Sequence, residues 1–195
     1  MEEINTWWKS IDGERFWLGI TSRDGAAEVL AVPWRDGRAP SSLLLHHVRA
    51  GDVVFHYDAA RAAITSWSIP NQRAHRHRLA WSRLEHDDEP VHGDAGTRSS
   101  PSLAVDLDGP VPLERPVMLG EIARTQWDIF PALQALEERV GDPIYYPFAM
   151  GHRDETHLVP GHVFKLPSLV VNRFPVMVRA AACMPWYREA PTVVH

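Results

Sequence analysis

Cysteine is almost absent from this sequence. Cys183 is the single one in 195 residues, which excludes an intramolecular disulfide and any zinc site built from several thiolates. Free cysteines usually pack as small hydrophobes, so a buried Cys183 is expected. No run of about 18 apolar residues occurs, and the opening MEEINTWWKS lacks the basic-then-apolar order of a secretory signal. A membrane-free, cytoplasmic address is the expectation. Internal repeats and low-complexity tracts are missing too, as are the G-x-S-x-G elbow, the G-x-x-x-x-G-K-[ST] phosphate loop and the G-x-G-x-x-G turn. No cofactor and no catalytic centre are expected from local motifs.

What is present describes a folded chain. Hydrophobic residues make up 45% and charged residues 23%, and eight tryptophans are more large rings than a disordered chain carries. The length suits one well-filled core, so residues 1–195 are read as a single domain. A formal net charge of -5 argues against non-specific coating of nucleic acid, which relies on Lys and Arg to neutralise phosphates. Positive charge is nevertheless concentrated locally, in Arg73, Arg76 and Arg78 interleaved with His75 and His77 and preceded by Arg61. The acidic stretch Glu85, Asp87, Asp88 and Glu89 follows and reads as solvated surface.

Eleven histidines raise the question of a metal. His75 and His77 are two apart, His46 and His47 are adjacent on an expected helix, and neither pair has the i, i+4 spacing of a helical zinc clamp. No metal site is expected. A small hydrolase using His and Asp residues of the segment His152 to His162 has no motif behind it.

Arg15 to Ile20 alternates like a strand, SRDG (22–25) supplies a turn, and Glu28 to Val32 completes an expected hairpin. Ser41 or Ser42 can cap a short helix over Leu43 to Val48. Asp52 to Tyr57 and Ala62 to Ser68 read as a second hairpin, and Leu79 to Leu84 and Ser102 to Leu107 as further strands. Ile129, Leu133, Leu136 and Val140 recur at helical steps, with Pro131 suited to a first turn and Gly141 to the stop. Val163 to Leu166 then precedes a short helix opened by Pro167 and closed before Pro175. Strands first, with a few helices packed around them and no regular strand–helix alternation, define an α+β barrel and not a doubly wound sheet.

Aromatics next to loops and strand ends are the informative constellation. Trp17 and Trp67 stand out of phase with the apolar sides of their strands, so each ring needs a partner, and Trp34 follows Pro33 in a loop.

The order GERFWLGI, VLAVPW, VRAGDVVFHYDAARAAITSWS resembles the start of EVE-like domains, relatives of YTH domains in the PUA-like superfamily. DPIYYPFAM and HVFKLPSLVVNRFP resemble the closing segment of that domain as it occurs in EVE-HNH modification-dependent restriction endonucleases. The resemblance spans Gly13 to Pro175; Pro160-Gly161-His162 departs from the family's Gln-Gly-Tyr. It implies a PUA-like small twisted β-barrel with flanking helices, whose pocket takes a flipped 5-methyl- or 5-hydroxymethylcytosine from double-stranded DNA. On that basis Trp34 matches the loop aromatic of the pocket, Thr21 and Ser22 the strand end beside it, and Ser66, Trp67 and Ser68 its floor, with Tyr57 and His56 as further members. Phosphate contacts would fall to Arg61, Arg73, Arg76 and Arg78. The HNH nuclease of such enzymes has no counterpart here, so cleavage is expected of a separate domain or partner. The same cage also suits a YTH-like module for N6-methyladenine in RNA.

Energetics set a condition on such a pocket. Extruding a base costs a few kcal/mol and stacking on a ring returns about 1 to 3 kcal/mol. One buried methyl adds only about 0.8 kcal/mol, so selectivity must come from a closely fitted subpocket, easier flipping or polar groups that the wrong base leaves unpaired.

Overall fold

The computed structural model describes residues 4–21, 28–33, 40–81, 98–150 and 155–187. Among the described residues, nine strands and four α-helices follow a one-turn 3-10 helix, Trp7–Ser10. The strands are β1 Phe16–Thr21, β2 Val29–Pro33, β3 Val53–Asp58, β4 Ala63–Pro70, β5 His75–Trp81, β6 Arg98–Met118, β7 Phe148–Met150, β8 Thr156–Leu158 and β9 Val163–Lys165. The helices are α1 Pro40–Leu45, α2 Leu119–Val140, α3 Ser168–Val171 and α4 Pro175–Ala181. Seven strands form one curled, mixed sheet in the order β2-β6-β4-β3-β1-β9, with β5 also on β6; β7 and β8 pair by themselves. The class is α+β. Among the described residues no helix is long and apolar enough to cross a membrane.

The expected β1–β2 hairpin does not form. β1 pairs in parallel with β3, Phe16 opposite Val53 through Thr21 opposite Asp58, while β2 pairs antiparallel with β6. Phe16, Trp17, Leu18 and Gly19 are all buried, the pattern of an interior strand covered on both faces. Gly19 is where β2 crosses closest: a Cβ there would lie 2.6 Å from Leu30 Cδ1.

The β3–β4 hairpin forms as expected. Asp58 Oδ1 accepts from the backbone N–H groups of Ala60 and Arg61 and so fixes its turn. β6 is far longer than the six residues expected, and it organises the sheet. Its second half pairs with β4, from Leu107 opposite Pro70 to Met118 opposite Ala63. Its first half lies between β2 and β5. β5 therefore continues the line of β4 along the same edge of β6, and it starts at His75 where Leu79 was expected.

α2 begins at Leu119, well before Pro131, because Ile122, Gln126 and Ile129 extend the buried stripe of Leu133 and Leu136 toward the N-terminus. Pro131 sits in mid-helix on the exposed side. Gly141, at φ +75°, ends the helix as expected. α1 spans Pro40–Leu45, earlier than the expected Leu43 to Val48. Cys183 is exposed, not buried, because it falls just past the end of α4.

Candidate nucleic-acid interface

Successive residues of a strand point to opposite faces, and this divides the expected base-pocket residues. His56 lies opposite Ser66 on β4, and its Nε2 meets Ser68 Oγ at 2.8 Å. Gly19 is the β1 neighbour of His56. His56, Ser66 and Ser68 thus share one face, and the side chain of Thr21, like Ser22 and Trp34, lies outside the described residues. Tyr57 and Trp67 belong to the other: Tyr57 packs edge-on against Phe148 at 5.9 Å between centroids, and Trp67 lies opposite Phe55 and Val111. A slot walled by Trp67 together with the His56–Ser68 row is therefore excluded by the pleat.

Within the row, His56 and Ser68 are buried and Ser66 is half-buried. Gly109 lets β6 approach this point, since a Cβ there would meet Ser68 Oγ at 3.1 Å. Burial lowers the His56 pKa to about 4, so the imidazole is neutral at pH 7. Its Nδ1 is buried without a hydrogen-bond partner, leaving one polar valence unused beneath the row.

The expected phosphate contacts also divide. Arg61 stands in the β3–β4 turn with its Nε 3.5 Å from Asp58, at the end of β4 remote from β5. Eight residues of β4 separate it from the others, roughly 25 Å of strand. Arg73, Arg76, His77 and Arg78 are exposed together at and before β5. Arg76, His77 and Arg78 line a groove of about 490 Å³ with Pro101 and Ser102. His75 turns toward Asp106, 3.9 Å away, and Gln72 also donates to Asp106. Measured along β6 from Gly109 to Leu103, the partner of Arg76, the basic strand lies roughly 20 Å from Ser68, or about six base-pair rises of 3.4 Å.

The strongest electrostatic assembly was not legible as a site. Lys165 of the KLP block is fully buried, and its Nζ donates to Glu14 Oε2 at 3.2 Å, Phe16 O at 2.9 Å and Leu166 O at 3.0 Å. The rings of Trp7 and Trp17 lie 5.4 and 5.5 Å from it. Burial pushes the ammonium pKa down, and Glu14 and Asp52 push it back up. Glu14 also accepts from Ser168 N and Oγ at the start of α3. Asp52 accepts from Trp17 Nε1 at 2.8 Å, Arg15 Nε at 2.8 Å and Arg49 N at 3.0 Å. The partner that Trp17 requires is thus a structural carboxylate, not a ligand. All three donors of Lys165 are used, so the clasp joins β1 to β9 and offers nothing to a ligand.

Among the described residues no group of three or more His, Cys, Asp or Glu side chains is placed to hold a metal ion. No protein-family model and no curated protein matches the chain. Among solved structures, the solution structure of Rpa0253 from Rhodopseudomonas palustris aligns at 14% identity over 84% of this chain and 92% of that one, with a TM-score of 0.43.

Proposed function

We propose that this chain is a non-catalytic DNA-reading module of the EVE-like, PUA-superfamily kind, which takes a flipped 5-methyl- or 5-hydroxymethylcytosine and serves modification-dependent restriction. The observation that carries this reading is the exposed basic strand β5, where Arg76, His77 and Arg78 line one groove of a protein whose net charge is -5. Cations concentrated in this way against the overall charge fit a defined phosphate contact, not a general coat. The row Ser66, Ser68 and His56 supplies hydroxyls and a neutral imidazole of the type that reads a base edge, with Ser66 the half-buried member and His56 and Ser68 behind it. In this reading the stacking ring is Trp34, Ser22 adds a polar contact, and cutting belongs to a separate HNH domain or subunit.

The test is a binding panel of duplexes carrying plain cytosine, 5-methylcytosine, 5-hydroxymethylcytosine or N6-methyladenine, with N6-methyladenine RNA as a further arm. A modified cytosine is expected to bind at least about fourfold tighter than plain duplex, the value of one buried methyl. Equal affinity across the panel rejects the reader. Preference for the methylated RNA replaces it with the YTH-like reading, and reproducible cleavage by the purified chain overturns the non-catalytic assignment.

A further inference from the structure

α2 carries a second, unrelated pattern on its outer side. Ile122, Gln126, Ile129, Leu133 and Leu136 face the core, and the opposite side carries Arg124, Trp127, Asp128, Pro131, Gln134, Ala135 and Glu138, all exposed. Arg124, Pro131 and Glu138 are spaced by seven, as are Trp127 with Gln134 and Asp128 with Ala135, so these residues share one face of the helix. Trp127 is 64% exposed and Phe130, at its flank, 37%. An apolar ring this open, on a helix well anchored by its other face, is unusual for a surface without a partner.

The stripe is complementary to itself when reversed. A two-fold axis through Pro131 pairs residue i with residue 262 - i of an antiparallel copy. Arg124 then stands opposite Glu138, Asp128 opposite Gln134 and Trp127 opposite Ala135. The open indole meets an alanine, and each charge of the stripe meets a counter-charge or an amide, twice over by symmetry. No other register of the stripe places both Arg124 residues on Glu138. Neither Arg124 nor Glu138 forms an ion pair within the chain among the described residues.

We infer that the outer face of α2 is a homodimer interface, occupied by α2 of a second copy in antiparallel register about Pro131. Trp127 and its symmetry copy provide the buried apolar centre, and the two Arg124–Glu138 pairs fix direction and register at the rim. This inference does not depend on the DNA-reading proposal, because it uses a different face and different residues.

The test is the oligomeric state of the full chain, followed by sedimentation velocity over a concentration series, with thermal melts confirming that each variant is folded. The native chain is expected to dimerise and Trp127→Ala to be monomeric. Arg124→Glu and Glu138→Arg are each expected to weaken the dimer about tenfold or more, and the double variant to regain it, because the reversed pairs attract again. A native chain that stays monomeric up to about 1 mM rejects the interface. So does a dimer indifferent to Trp127→Ala, and failure of the double variant to recover rejects the antiparallel register.

Discussion

Two regions of this protein are rich in cations, and they use them in opposite ways. Lys165 is buried with every donor spent on Glu14 and two backbone carbonyls, between two indole rings. Arg76, His77 and Arg78 stand in solvent along β5. A desolvated cation survives only if its valences are filled from within, so it becomes part of the scaffold. An exposed cation costs little to hold and can trade a surface partner for a phosphate. Cation content alone therefore says little about function; the supply of internal acceptors separates the two roles.

The comparison breaks most directly at Lys165. Lys165→Met should destabilise the fold by about 3–5 kcal/mol in urea unfolding, since Glu14 is left buried and uncompensated. A loss within the ordinary surface range of about 0.5 kcal/mol would show that the clasp is not structural.

A somewhat smaller effect is expected at His56, and it depends on pH. The folded pKa is lowered to about 4 from an ordinary 6.5, so the unfolded chain binds the proton first. Stability from this group is complete above pH 6.5, falls as pH drops from 6.5 to 4, and levels off below. Between those limits the native chain should lose roughly 3 kcal/mol more than His56→Gln. Equal losses in the two proteins remove His56 from the account.

The smallest effect on stability is expected where the effect on binding is greatest. Arg76→Ala combined with Arg78→Ala should leave unfolding within about 0.5 kcal/mol of native, yet lower the slope of log affinity against log salt by about 2. An unchanged slope would place β5 away from the nucleic acid.

Legibility in the sequence followed the range of the interactions. The β3–β4 hairpin, the Gly141 stop and the α+β class rest on local chemistry, and all three were readable. SRDG is a plausible turn, so local chemistry favours a β1–β2 hairpin, whereas the choice of β3 as partner depends on burial of both faces of β1. RFWLGI carries that signal in its nearly unbroken apolar run. Proline's preference for a first turn points to a shorter α2, and only the burial pattern reveals that Pro131 rides on the solvent side. The split of the pocket residues was legible in principle, since Ser66, Trp67 and Ser68 cannot share a face in a strand. The Lys165 clasp was not, because its partners are 151 residues apart.

That separation has a consequence for synthesis. Glu14 leaves the ribosome roughly 8 to 30 s before Lys165 at ordinary elongation rates of about 5–20 residues per second. Throughout that interval β1 can join β3 but lacks β9, and Glu14 waits without the ammonium that neutralises it. The nascent chain therefore carries an open sheet edge and an unmatched carboxylate at its oldest end. Premature termination between β3 and Lys165 leaves a fragment with the same two defects, open to chaperone capture or degradation.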